Sequence, residues 1–418
     1  MSESLHWIWL ASRLGAASPY LNILLGKYAS PKSIFEAEPS EILSLEKIPD
    51  SVRMRLNDRS LDRAERILEQ CRVKGIGVMT YGDPRYPAIL KTIDKPPAVL
   101  YFKGMPIDFD RRLCVSIVGT RKMSDYGRDM AYRFAYDLSS AGVNVISGMA
   151  LGVDGMSAAG ALDAQAHTTV VLGGGVDVVY PSVHRRLYDS ILKNGLILSE
   201  YPPGAEPDRS HFPQRNRIIS GLSRCTLVVE SAEKGGALIT AEYAVKQGRP
   251  VFAIPGALDM RYSVGTNNLI KSGAKMATSA LDIIGAFEAA SFSDLDSNAI
   301  GAMEYDAKRA AKRYGVASKK DDTHKVRLGK IDKDDIEEFE PAAMLGQEKE
   351  QREEQSRFVD MSPGEKAIYD TIPEEGEVSL ELIVSASGQT LQDVTMHVLS
   401  LGIKGAIIEL PGGRYRRA

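Results

Sequence analysis

The chain has 418 residues and a formal net charge of −3; that length exceeds one compact core and implies two or three domains. The weak charge excludes a globally basic nucleic-acid binder but leaves room for a local basic site. Cys71, Cys114 and Cys225 stand far apart without metal-ligand spacing and read as reduced thiols of a cytosolic protein, with no secretory leader and no apolar run long enough to span a bilayer.

Residues 1–75 read as a small helical domain, SAM- or helix-hairpin-helix-like. "SLHWIWLASRL", "SPYLNILLGKY", "SPKSIFEA" and "EPSEILSL" carry apolar residues at helical spacing, with Ser18, Ser30, Pro31 and Pro39 as start signals. "LDRAERILEQCRVKGI" is a longer amphipathic helix stopped at Gly75.

From about residue 76 the pattern changes. "GVMTYGD" reads as a strand, and the proline-rich "PRYPAILKTIDKPPAVLYFKG" ends in a second one. "LCVSIVGT", "VNVISG", "HTTVVLGGG", "LILSEYP", "CTLVVESA" and "PVFAIPG" are apolar runs that alternate with helical segments. Near-continuous apolar strands are covered on both faces, so 76–287 reads as a Rossmann-like, doubly wound parallel sheet: an α/β fold. Residues 288–357 lose the apolar period, and "KKDDTHKVRLGKIDKDDIEEFE" reads as a charged linker. Residues 358–418 read as three capped helices and a hairpin turned at "PGG", the order of a winged helix, with basic Arg414, Arg416 and Arg417 at the end.

Ligands of doubly wound sheets lie outside the carboxyl ends of the strands. Here the first core strand runs into Gly119, Thr120, Arg121 and Lys122, with Ser124 as the helix N-cap. A glycine, a hydroxyl and two cations at a strand-to-helix turn suit a phosphate. The following strand ends bring Ser147 and Gly148, then Gly173 and Gly174, then Glu230 with Gly235 and Gly236. "FPQRNRIISGLS" places Arg215, Asn216 and Arg217 before an apolar element. Either the two arginines meet phosphates, or they pair with carboxylates such as Glu200 or Glu230. No G-x-G-x-x-G with an acidic partner, no G-x-x-x-x-G-K-[ST] and no metal-ligand cluster occurs, and His167 reads as structural. Carboxylates such as Glu200 and Asp208 read as capping or solvated groups and not as a catalytic pair.

"YGDPRYPAILKTIDKPPAVLYFKG", "VGTRKMSDYG", "VISGMALGVDG", "VVLGGGVDVVYP", "LSEYPPG", "FPQRNRIISGLS", "ALITAEYAVKQGRPVFAIPG" and "GTNNLIKSGA" run in an order that resembles the DNA-processing protein A (DprA/Smf) family. The resemblance implies a single-stranded DNA-binding mediator, not an enzyme, that needs no cofactor. Such proteins protect incoming DNA and load the RecA recombinase in natural transformation, as cytoplasmic homodimers. It also implies DNA contacts at Gly119, Thr120 and Arg121, around Gly173, Gly174 and the helix that begins near Arg185, and at Arg215, Asn216 and Arg217. Family dimers use the late part of this domain, so Leu269 and Ile270 are candidates for that contact, with burial in the core as the alternative. Ala158 and His184 stand where the family often carries histidine and asparagine, and Gly235–Gly236 where it often has Ser-Gly. The competing function is a nucleotide-binding or nucleotide-hydrolysing enzyme on the same fold.

Overall fold

The computed structural model describes residues 3–287, 290, 292–300, 305–319, 362–373, 376–403, 406–410 and 414–417. They divide between two compact units, 1–331 and 332–418.

The first unit opens with α1 (Glu3–Leu14), α2 (Leu21–Lys27), α3 (Pro31–Glu36), α4 (Pro39–Leu43), α5 (Asp50–Asn57) and α6 (Asp62–Val73). Ser30 caps α3 by accepting from the Ser33 amide, with Pro31 in the first turn. Gly75 follows α6 at φ +60°, where a side chain would be strained. Ser18 does not cap α2; it accepts from the Tyr20 amide in the preceding loop. The helices enclose no separate core. Trp9, Leu10, Leu21, Ile34 and Leu56 join Val99, Tyr101, Val170, Leu187 and Ile197 in one buried cluster.

A nine-stranded sheet follows: β1 (Gly77–Thr80), β2 (Val99–Gly104), β3 (Cys114–Val118), β4 (Asn144–Ser147), β5 (Thr168–Val171), β6 (Gly195–Ser199), β7 (Cys225–Val228), β8 (Val251–Ala253) and β9 (Lys275–Met276), in the order β1-β2-β6-β5-β4-β3-β7-β8-β9. The seven strands from β6 to β9 in that order are parallel to one another. β1 and β2 form an antiparallel edge on β6. Only the short α7 (Ala88–Lys91) lies between β1 and β2, because the prolines there prevent a crossover helix and the chain returns directly. Along β3, Val115 and Ile117 face one layer and Cys114 and Val118 the other. Helices α8 (Asp125–Ser140), α9 (Val153–Asp163) and α14 (Ala280–Ile284) cover the first face. Helices α11 (His211–Gly221) and α12 (Gly236–Lys246) cover the second, and α10 (Arg185–Asn194) packs with the amino-terminal helices. Helix α13 (Val264–Lys271) lies between β8 and β9. The three cysteines are buried and unbridged, and burial pushes the Cys71 thiol up to about 11.

One helix was hidden by charge. α15 (Ala307–Tyr314) packs Ala307 and Ala310 against α8 and α9, inside the stretch that reads as linker. Lys308, Arg309, Lys312 and Arg313 mask this alanine stripe in the sequence. The rest of the linker reading, 320–357, lies outside the described residues.

The second unit contains helices Pro363–Thr371, Leu380–Ser387 and Leu391–Ile403, and strands Val378–Ser379, Ile407–Leu410 and Arg414–Arg417. The last two strands pair antiparallel, and Val378–Ser379 adds to the outer side of Arg414–Arg417. Ile368, Ile372, Ile383, Val394, Leu401 and Tyr415 form its core. The "PGG" turn lies outside the described residues. Two basic residues of this end are engaged: Arg414 pairs with Glu377 at 2.9 Å, and Arg417 lies 4.4 Å from the Tyr369 ring centroid.

Candidate functional site

β3 stands between β4 and β7, where the winding of the sheet reverses, so the ligand crevice of this fold lies beside the β3–α8 loop. The amino terminus of α8 is already taken. Glu230, just beyond β7, accepts from the Ser124 amide at 3.0 Å and from the Ser124 hydroxyl. The Thr120 amide donates to the Glu230 carbonyl at 2.8 Å. Ser124 caps α8 by accepting from the Gly127 amide at 3.0 Å, and a side chain at Gly127 would overlap the Glu230 carboxylate. A carboxylate of the chain thus occupies the place where amides and helix dipole would hold an anion. The α8 terminus itself is therefore closed to a phosphate, which leaves the Arg121 and Lys122 side chains as the cations of this turn.

The strand-end glycines serve packing. A Cβ at Gly119 would lie 2.6 Å from Val153 of α9, and one at Gly173 would lie 3.0 Å from the Phe212 ring. At Gly174 it would meet the Ala205 carbonyl at 2.9 Å, and at Gly148 it would fall inside the Arg215 guanidinium. The Gly148 amide donates to Asp154 at 3.1 Å. Ser147 is fully buried and its hydroxyl donates to the Ile117 carbonyl at 2.8 Å, so it faces the sheet and not the crevice. Gly148, Gly173 and Gly174 are likewise buried, at the strand ends beneath the crevice.

The two arginines of Arg-Asn-Arg lie on α11 and are buried, at 4% and 2% exposure, with Asn216 half-buried between them. Arg215 Nη1 donates to the Val171 carbonyl at 2.7 Å, while its Nε has no hydrogen-bond partner. Burial lowers Arg215 to about 10, opposed by the charge of Asp154; burial raises Asp154, opposed by Arg215 and Arg121. Arg217 Nη2 pairs with Glu200. Of the two readings the sequence left open, pairing with a carboxylate describes Arg217 in this conformation, because a desolvated guanidinium is costly without a partner.

What the crevice does present is a cation on an aromatic ladder. Arg121 and Lys122 are half-buried beside half-buried Thr120, and the Arg121 guanidinium lies 5.4 Å from the Phe212 ring centroid. Phe212 stacks on Tyr180 at 5.5 Å and 30°, and Tyr180 is 46% exposed. Tyr201 and His211 stack beside them at 4.0 Å, with His211 Nδ1 donating to the Gly173 carbonyl at 2.9 Å. Sequence reading passed over these aromatics, although Phe212 opens the Arg-Asn-Arg segment and Tyr180 closes "VDVVY". Arg185 is exposed at the start of α10, its guanidinium 5.7 Å from the Tyr188 ring. Leu269 and Ile270 are half-buried on α13, and Leu269 packs on the core beneath α11 and α12.

His167 is structural: its ring nitrogens meet Asn144 Oδ1 at 2.9 Å and the Met105 carbonyl at 2.8 Å. Among the described residues no cluster of side chains could hold a metal ion, and no helix is long and apolar enough to cross a membrane.

The profile of DNA recombination-mediator protein A matches residues 77–288. Protein Smf of Synechocystis sp. is 30% identical over 423 residues, which span 100% of this chain and 99% of that one. DNA processing protein DprA of Bacillus subtilis is 42% identical over 218 residues, 52% of this chain and 73% of that one. The X-ray structure of DNA processing protein A from Streptococcus pneumoniae aligns with a TM-score of 0.61 at 32% identity, covering 69% of this chain and 99% of that one. With a relative aligned from end to end and the sheet domain matched throughout, the chain belongs to the DNA recombination-mediator protein A family.

Proposed function

We propose that this chain binds single-stranded DNA, protects it, and passes it to a RecA-type recombinase during natural transformation. It acts as a cytoplasmic homodimer. The observation that carries the DNA reading is the Arg121–Phe212–Tyr180 stack at the sheet's switch point. Single strands offer unstacked bases and a phosphate chain, and an aromatic platform beside cations takes both without reading sequence. Arg121, Lys122 and Arg185 supply charge; Gly119, Thr120, Gly148, Gly173 and Gly174 shape the floor, with Ser147 holding the β4 end to β3 beneath it and Arg215, Asn216 and Arg217 behind it. Glu230 at the α8 amino terminus weighs against a nucleotide-processing enzyme, since it fills the place for a sunken phosphate and leaves a surface on which a polymer lies.

Leu258, Met260, Met276 and Leu281 are large, apolar and exposed within the late part of the sheet domain. Together with Leu269 and Ile270 they support the dimer reading. The element order of the second unit supports a winged helix.

The test is equilibrium binding of a labelled oligothymidylate at two salt levels. Three phosphate contacts give a slope near −2.1, so raising salt from about 50 to about 200 mM weakens binding about 20-fold. Absence of binding at the lower salt refutes the reading.

A further inference from the structure

Residues 305–319, which lie beyond the family profile, carry Lys308, Arg309, Lys312, Arg313 and Lys319 against the single acid Asp306, in a protein whose net charge is −3. We propose that α15 and the strap that follows it form a second stretch of the single-strand path, drawing the DNA out of the crevice and along the outer face of α15. This rests on the DNA-binding reading above and extends it.

The placement of the charges follows from packing. Ala307 and Ala310 are buried, so the opposite side of α15 is turned to solvent, and Lys308, Arg309, Lys312 and Arg313 are all exposed. Asp306 is spent as the N-cap, accepting from the Arg309 amide at 2.8 Å. Arg313 pairs with Asp163. Among the described residues Lys308, Arg309 and Lys312 meet no carboxylate within ion-pair distance, and the same holds for exposed Arg186 of α10. Arg128 and Arg133 on neighbouring α8 differ: they are matched by Asp125, Asp129 and Asp137. Lys308, Arg309, Lys312 and Arg186 thus keep their charges unanswered side by side on this flank, whereas cations already paired would contribute little to a polyanion.

The strap ties this face to the crevice. Gly315 ends α15 at φ +66°, and Arg186 Cδ lies 3.7 Å from where its Cβ would stand. The Gly152 amide donates to the Ala317 carbonyl at 2.8 Å, the Ala317 amide to His184 Nε2 at 3.1 Å, and the Lys319 amide to the Arg121 carbonyl at 2.9 Å. Lys319 is therefore fixed beside Arg121, and Gly315 lies within about 14 Å of it, the reach of four extended residues. A strand leaving the Phe212 platform would meet Lys319, Arg186 and then Lys312 and Lys308, with Asp129 and Asp306 the acids that line the surface beside Lys308.

The test compares oligothymidylates of about 6 and about 25 nucleotides, within and beyond the span of one site, binding to the full chain and to Lys308→Gln/Lys312→Gln. The variant should bind the short strand as the parent does. It should lose on the order of 20-fold for the long strand near 0.1 M salt, with the salt slope shallower by about 1.4. Lys308→Arg/Lys312→Arg should restore long-strand binding. Unchanged long-strand affinity and slope in a variant of parental melting temperature overturn the proposal while leaving the crevice reading intact; an acidic protein partner would then be the better reading of this face. Equal loss for both lengths also overturns it, since α15 would then only support the crevice. Failure of the parent to bind either strand removes the crevice reading as well.

Discussion

Arg217 and Glu200 form an ion pair almost withdrawn from water, their side chains 3% and 10% exposed. The other Glu200 oxygen accepts from the Ala17 amide at 3.3 Å, so one carboxylate joins α11, the end of β6 and the amino-terminal helices. Removing one member of a buried pair strands the other. Arg217→Ala should cost about 3–5 kcal/mol in urea unfolding, with the salt slope of DNA binding unchanged. A slope shallower by about 0.7 would return Arg217 to the phosphate contacts.

Arg121 sits at the mouth of the crevice and not in its wall. Arg121→Ala should leave the melting temperature within a degree or so of the parent, weaken single-strand binding several-fold, and flatten the salt slope by about 0.7. Parental affinity in the folded variant would remove Arg121 from the interface.

Tyr180 and Phe212 separate stacking from charge. Tyr180→Ala should lower single-strand affinity by about 1–3 kcal/mol and leave the salt slope untouched, because no counterion is released by a ring. Titrations at three salt concentrations read both quantities. Loss confined to the slope would contradict a stacking role.

His184 carries a pH dependence. Its Nδ1 donates to the Met149 carbonyl at 3.1 Å and its Nε2 accepts from the Ala317 amide. Burial holds its pKa below 6.5. The unfolded chain takes up a proton that the folded site resists, so the contribution of His184 is complete above pH 6.5 and is lost as pH falls through the lower folded value. Unfolding free energy measured from about pH 7 down to about pH 5 should therefore decline, and decline less in His184→Gln. It should not become flat, since burial also lowers His6 and His167. An identical decline in the variant would show that His184 is not responsible.

The sheet was legible because strands buried on both faces leave long apolar runs, as in "CVSIV" of β3. The antiparallel edge was less so, since strand direction depends on what the intervening chain can build. At the site, Gly119 to Lys122 could be found by strand-then-glycine grammar. The burial of Arg215 and Arg217 could not, because Glu200 and Asp154 reach them only through the tertiary fold. α15 was missed because four basic residues outweighed its alanines in a local average.

The shared core of α1–α6 and the sheet bears on where this protein can be cut. The family profile begins at residue 77, yet a fragment starting there would bare Val99, Tyr101, Leu187 and Ile197, which now lie against Trp9, Leu21 and Leu56. Excision at that boundary would leave a sticky apolar wall and a Glu200 deprived of the Ala17 amide. The amino-terminal helices are thus part of the sheet domain's own interior, and the seam between modules seen in sequence is not a seam in the folded molecule.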